Sequence, residues 1–429
     1  MREMKDSGVA WIGKIPHCWN TSKLKYLGQY INGYAFKPEE WGSKGVPIIR
    51  IQDLTGSNDN PNYFEGQIDK KYWVENGDIL ISWAATLDAF IWNKGNGWLN
   101  QHIFKAVPNR RIINYDFFFW MIKESMKNMN NDNKHGIFMQ HVTLSVFNNF
   151  TIPMPPLAEQ ERIAAFLDAE CAEIDTVLEK TRASIEEYKK LKQAIITQAV
   201  TKGIRGDRPM KDSGIEWIGD IPVEWRKTQL RHCAAIKSGI TLGKKYEKTD
   251  SLVERPYLRV ANVQDGYVDL SVLTTIEVTQ DEDLKYRLRA GDVLMTEGGD
   301  RDKLGRGCVW HGEIEPCLHQ NHIFAVQTSK DTLLPEFLEY LTVSDVGRSY
   351  FDVTAIKTTN LACTSSSKVL AFTIPLPSVE EQAEIVEALN TKCAGIDALV
   401  AKKQQYLTEI ENYKKSLIYE YVTGKKEVV

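Results

Sequence analysis

The longest ordered pattern of apolar and polar positions runs from Leu157 to Lys202, without a proline or glycine. Within it Ile174, Leu178, Thr181, Ile185, Tyr188, Lys192, Ile195 and Ala199 alternate by four and three positions, the spacing of a two-helix seam. Pro153, Pro155 and Pro156 come just before. Proline ends an extended segment and is tolerated in a first helical turn, where its missing N–H costs nothing. At ~1.5 Å per residue the pattern predicts a rod of roughly 70 Å. A rod that long cannot bury its stripe in one globule and requires a partner helix.

The partner lies in the same chain. TIPMPPLAEQ begins at Thr151, and TIPLPSVEEQ begins 222 residues later at Thr373. The second seam reads Ile396, Val400, Lys403, Leu407, Ile410, Lys414, Leu417 and Tyr421, in phase with the first, with Gly395 its weak spot. Both copies carry a Glu-Gln pair (Glu159-Gln160, Glu381-Gln382) and finish on Val-Thr (Val200-Thr201, Val422-Thr423).

A second repeat precedes each rod. MKDSGVAWIGKIPHCW starts at Met4 and MKDSGIEWIGDIPVEW at Met210. Asp-Ser-Gly is turn chemistry, and the Trp-Ile-Gly-x-Ile-Pro that follows reads as a packed extended clasp with a structural role. Two bodies follow the clasps, and short apolar runs bounded by Gly, Asp and Asn recur in both: Gly33 with Gly239, PIIRIQDL with PYLRVANV, NGDILIS with AGDVLMT, NQHIFKAV with QNHIFAVQ. Such runs predict β-strands, and Tyr115–Met126 and Leu334–Leu341 predict helices between them. The expected fold is α+β. Residues 1–150 form one body with its clasp, 151–206 a long helix, 207–372 a second body with its clasp, and 373–429 a second long helix. Equivalent exits from the two bodies require the helices to pair antiparallel, about a pseudo-two-fold axis, and bring Val422–Gly424 back to the first clasp.

Composition narrows the function. At 429 residues the chain holds two or three domains. No apolar run exceeds the six residues Phe117–Ile122, far short of the ~18 of a membrane span, and MREMKDSG has no secretory apolar core. Seven cysteines without CxxC spacing suit reduced thiols in a cytoplasm. A net charge of −4 excludes a globally basic nucleic-acid binder, so such affinity must reside in local patches or in a partner.

The chain lacks GxxxxGK[ST], GxGxxG and any Asn/Asp-Pro-Pro-aromatic segment. His311-Gly-Glu313 with Pro316-Cys317 echoes a zinc deaminase, but Gln320 stands where a second cysteine belongs. Glu187-x-Lys189 is half of a nuclease motif on the face of a rod. The loops say more. Glu297–Gly307 interleaves glycine with Arg301, Lys303 and Arg306; arginine suits bidentate contact with guanine or phosphate. The counterpart in the first body, Trp83–Trp98, is aromatic and nearly uncharged, with Trp83 and Thr86 near its start. Further candidates are Lys134, His135 and Gln140, then Lys244 and Lys245, then Lys357, Thr358 and Asn360. Residues shared by the bodies (Arg50 with Arg259, Asp53 with Asn262, His102 with His322) cannot explain a difference between them, so they belong to the frame or to sequence-independent phosphate contacts.

With both clasps, both TIP–P–EQ helix starts, both rods and both Gly-Asp-[Ile/Val]-Leu strands in place, the whole chain resembles the specificity (S) subunits of type I restriction–modification systems. The resemblance implies two target-recognition domains, each reading half of a split, asymmetric site in double-stranded DNA. It implies paired helices that act as a ruler and dock two methyltransferase subunits and the restriction subunits. Those partners hold S-adenosylmethionine, ATP and Mg; the chain itself has no cofactor and no catalytic residue. A non-catalytic coiled-coil scaffold whose bodies bind proteins is the other class the pattern admits. A self-sufficient restriction–modification enzyme would need a longer chain.

Overall fold

The computed structural model describes residues 2–58, 60–132, 142–247, 251–299, 304–357 and 362–428. A first long helix spans Leu157–Lys202 and a second spans Val379–Val422. Each ends on a left-handed glycine, Gly203 (φ 75°) and Gly424 (φ 73°), a backbone state that residues with a Cβ adopt at a cost. Each begins after a short strand that pairs antiparallel with the strand leaving its clasp. Thr151–Met154 pairs with Asn20–Lys23, and Thr373–Leu376 with Arg226–Gln229. The prolines in these strands are tolerated because a two-stranded ribbon leaves every second N–H outside the ladder.

The chain divides into two compact units, residues 1–181 with 405–429 and residues 182–404, so each long helix contributes to both. In the first unit Ile174 and Leu178 pack in one core with Leu417 and Ile418, and Lys414 Nζ reaches Asp175 Oδ1 at 2.6 Å. In the second unit Ile196 and Ala199 share a core with Leu389 and Cys393, and Lys192 Nζ reaches Asp397 Oδ2 at 2.7 Å. Sequence numbers rise on one helix as they fall on the other, so the helices are antiparallel in each unit. The lysines at seam positions are thereby explained: their stems lie along the seam and their heads bridge to the partner helix. Lys403 instead caps the Tyr188 ring at 5.6 Å.

The Glu-Gln pair at each helix start ties three parts together. Trp19 Nε1–H donates to Glu159 Oε2, and Trp225 Nε1–H to Glu381 Oε2, both at 2.9 Å. Arg2 pairs with Glu159, and Arg208 with Glu381 at 2.6 Å. The neighbouring glutamines hold the bodies. Asn114 N–H donates to Gln160 Oε1 and Leu334 N–H to Gln382 Oε1, both at 2.8 Å. Both tryptophans are sealed, 0% and 1% exposed, so the clasp is a structural plug. The first clasp also receives the chain end: Lys425 Nζ donates to Ile12 O at 2.7 Å, and Arg2 Nε reaches Glu427 Oε2 at 2.9 Å.

Each body is built on a four-stranded antiparallel sheet. In the first body the order is Gly28–Asn32, Ile103–Pro108, Ile79–Ser82, Asp88–Ile91; in the second it is Ala234–Ser238, Ile323–Thr328, Val293–Thr296, Gly307–Val309. A second sheet in each body contains one parallel pair, Ile48 opposite Trp98 and Tyr257 opposite Leu318. Gly33 and Gly239 recur because a Cβ there would lie 2.0 Å from Asn100 O and 2.1 Å from His319 O. Helices Tyr115–Asp132 and Pro335–Val343 close the cores, with Phe117, Phe118 and Met121, and Phe337, Leu338 and Leu341, all 0% exposed. Where the first body has strand Tyr63–Phe64 and the turn Lys70–Tyr72, the second has a longer strand, Thr274–Thr279, and helix Gln280–Tyr286.

Candidate nucleic-acid interface

The residues common to both bodies perform the same backbone task. Arg50 N–H donates to Asp53 Oδ2 at 2.7 Å, and Arg259 N–H to Asn262 Oδ1 at 2.8 Å. These side chains cap a short helical turn, as Asp and Asn do at helix starts. The Arg50 guanidinium lies over the Trp41 ring at 4.9 Å.

The loops that differ begin one residue past the central strand of each sheet. Trp83 N–H donates to His102 O (3.4 Å) and Val142 N–H donates to Trp83 O (3.1 Å). In the second body Glu297 N–H donates to His322 O (2.9 Å) and Thr364 N–H to Glu297 O (2.7 Å). Two stretches far apart in sequence thus meet at one place in each body. In the second body Gly298–Gly299 pairs with Ala362–Cys363, which pairs with Ile356–Lys357. Gly298–Gly299, near the start of the Gly/Arg-rich stretch, and Lys357, separate candidates by sequence, thus belong to one small sheet. Arg306 is half-buried beside strand Gly307–Val309. Arg301, Lys303, Thr358 and Asn360 lie outside the described residues, as do Lys134, His135 and Gln140, the last of these two positions before Val142.

In the first body Trp83 stacks on Phe104 at 5.7 Å and tilts onto His102 at 5.4 Å. Thr86 is exposed just past Ala85, whose φ is 59°. Lys244 pairs with Glu282 and lies over the Tyr246 ring at 5.5 Å, while Lys245 is exposed. Burial opposes ionisation of Glu282, but Lys244, the Thr279 N–H and the Tyr246 hydroxyl outweigh it and hold the carboxyl at about 2. The sequence reading missed the hydrogen bond between His322 Nδ1 and Glu297 Oε2, at 2.6 Å. Its signal was present, a histidine shared by both bodies facing a position that changes from indole to carboxylate.

Among the described residues no three His, Cys, Asp or Glu side chains cluster to hold a metal. The His311 region therefore presents no zinc site, and Cys317 is buried. Burial pushes the Cys308 and Cys317 thiols up to about 12 and those of Cys171 and Cys233 to about 11, far from a nucleophilic thiolate at neutral pH. A cleft of about 1060 Å³ in the second unit mixes Lys189, Lys192 and Arg348 with Asp265, Glu339 and Asp397, so it has no single sign of charge. No helix is long and apolar enough to cross a membrane among the described residues.

A duplicated frame that holds unlike loops defines the class, a protein with two like bodies that differ at the same edge. Comparison with known proteins makes this specific. Residues 16–187 match the family described as type I restriction modification DNA specificity domain. Over 437 aligned residues the chain is 26% identical to the EcoBI specificity subunit of Escherichia coli, covering 99% of this chain and 90% of that protein. It is 26% identical over 426 residues to the MjaVIII specificity subunit of Methanocaldococcus jannaschii, covering 97% and 94%. In fold it matches a solved chain described under complex assembly and conformational transition of the type I R-M system, with a TM-score of 0.70, 18% identity, and coverage of 96% of this chain and 99% of that one. Along nearly its whole length the chain is thus similar to type I specificity subunits.

Proposed function

We propose that this chain is the sequence-reading subunit of a type I restriction–modification complex. It binds double-stranded DNA, each body reads one half of a split, asymmetric site, and it docks two methyltransferase subunits and the restriction subunits. S-adenosylmethionine, ATP and Mg belong to those partners, and the complex works in the cytoplasm. The observation that carries this reading is the pair of identical backbone junctions, at Trp83 and Glu297, that present chemically unlike loops. Identical frames give both bodies the same approach to a duplex; unlike loops give them different bases.

The reading assigns functional parts as residues 1–150 and 207–372 for recognition, and 151–206 and 373–429 for spacing and docking. For the second body the contacting residues are Lys244, Lys245, Arg301, Lys303, Arg306, Lys357, Thr358 and Asn360. For the first they are Trp83, Thr86, Lys134, His135 and Gln140. Arg50 and Arg259 serve phosphates in both. With a net charge of −4, the isolated chain binds DNA weakly, and the partners supply further phosphate contacts. The test is co-expression with the methyltransferase subunit and sequencing of the modified genome. A two-part motif with a fixed gap is expected, and Arg301→Ala with Arg306→Ala should relax one half alone. A complex that modifies no two-part motif would favour a protein-binding scaffold.

A further inference from the structure

One backbone position is shared by the two bodies yet carries side chains of different kinds. Trp83 and Glu297 make the same pair of main-chain hydrogen bonds, to a histidine carbonyl on one side and from a returning segment on the other. In the first body the indole fills the position against Phe104 and His102. In the second a carboxylate stands there, held by His322 at 2.6 Å. The pair is open to solvent, with His322 54% and Glu297 32% exposed. It sits at the root of the small sheet that joins the Gly/Arg-rich stretch to the Lys357 strand.

A carboxylate at an edge that approaches DNA is repelled by the phosphates. It is tolerable there when it reaches a hydrogen-bond donor on a base. In the major groove those donors are the exocyclic amino groups, N4 of cytosine and N6 of adenine; guanine offers acceptors, and thymine an acceptor and a methyl group. A histidine that bonds one carboxylate oxygen fixes the rotamer of the acid and so aims it.

We propose that Glu297, oriented by His322, is a base-reading acceptor of the second body and takes a hydrogen bond from the exocyclic amino group of one cytosine or adenine in its half-site. Glu297 touches the base; His322 is a positioning residue. Trp83 removes this acceptor from the first body, so the two half-sites differ at the corresponding step. The inference rests on the chain being a DNA-reading subunit.

The experiment uses the chain assembled with its methyltransferase partner and duplexes carrying the motif that the wild-type complex modifies. In the half-site relaxed by Arg301→Ala with Arg306→Ala, each cytosine is replaced in turn by 2-pyrimidinone and each adenine by purine. Each analogue lacks the amino group. At one position the wild-type complex should lose about 5- to 100-fold in affinity, the range of a good base contact. Glu297→Ala should lose a similar factor on the natural duplex and nothing further on that analogue, which also tells cytosine from adenine. His322→Gln should weaken the same position and leave the others intact. Losses from Glu297→Ala and from the analogues that multiply at every position would overturn the inference. So would Glu297→Ala and Glu297→Gln complexes that are folded yet bind no duplex, because the carboxylate would then be holding the loop. A wild-type complex without a two-part motif would instead overturn the underlying reading.

Discussion

Glu381 carries a heavier load than its position on a helix surface suggests. It accepts from the buried Trp225 indole and pairs with Arg208, whose guanidinium also lies over that ring at 5.2 Å. Removing the carboxylate leaves the buried Trp225 N–H without its acceptor and leaves the nearly buried Arg208 cation with only the exposed Glu224 carboxylate and the Lys202 carbonyl, which costs more than the lost bond. Glu381→Ala should lower the stability of the second unit by about 3 kcal/mol, and Glu159→Ala should act alike in the first; urea unfolding followed by tryptophan fluorescence measures both. Glu339 behaves oppositely. Burial, with Glu336 and Asp265 adding like charge and a Val309 backbone bond opposing, pushes its carboxyl up to about 8. Between the ordinary 4.5 and 8 the folded chain holds a proton there that the unfolded chain releases, so stability falls as pH rises through that window and levels off above it. Glu339→Gln should flatten that slope and gain at least about 1 kcal/mol at pH 8, read from urea midpoints at pH 5, 6.5 and 8.

At the scale of elements, the long helices follow the heptad seam read from sequence, with Ile196 taking the fully buried place expected of Ile195. Adding seven residues to both helices at matching seam positions preserves that seam and adds two turns, ~10.5 Å. The gap in the modified motif should lengthen by about 3 base pairs with both half-sites unchanged; methylome sequencing checks it, and altered half-sites would count against the ruler. These helices were legible because prolines and a glycine bracket them and because the repeat states each twice. The Trp19–Glu159 plug was half legible, since both residues recur but nothing local says that they meet. The junctions of Trp83 with Val142 and of Glu297 with Thr364 were not. They join segments dozens of residues apart through main-chain atoms, which every residue carries alike.

At the scale of the whole chain, the repeat explains why one polypeptide can carry two readers, and its failures of symmetry show where the copies have separated. In the first unit Phe166 and Tyr421 pack ring to ring at 4.4 Å beside the clasp. The repeat puts Ala388 and Ala199 at those places in the second unit, where a cavity of about 480 Å³ opens. The frame is therefore kept where main-chain bonds depend on it and has drifted where only volume is at stake.

The bond between Arg2 and Glu427 puts the first and last described turns of the polypeptide within reach of a short peptide splice. Joining them, and opening the chain instead between Gly206 and Asp207, would produce a gene in which the downstream reader is translated first. Because the grip of each clasp on its helices would survive, the rearranged protein should mark the same genomic sequence as its parent. The order of readers in a gene of this kind is then a historical accident, and the order of bases in the target does not follow from it.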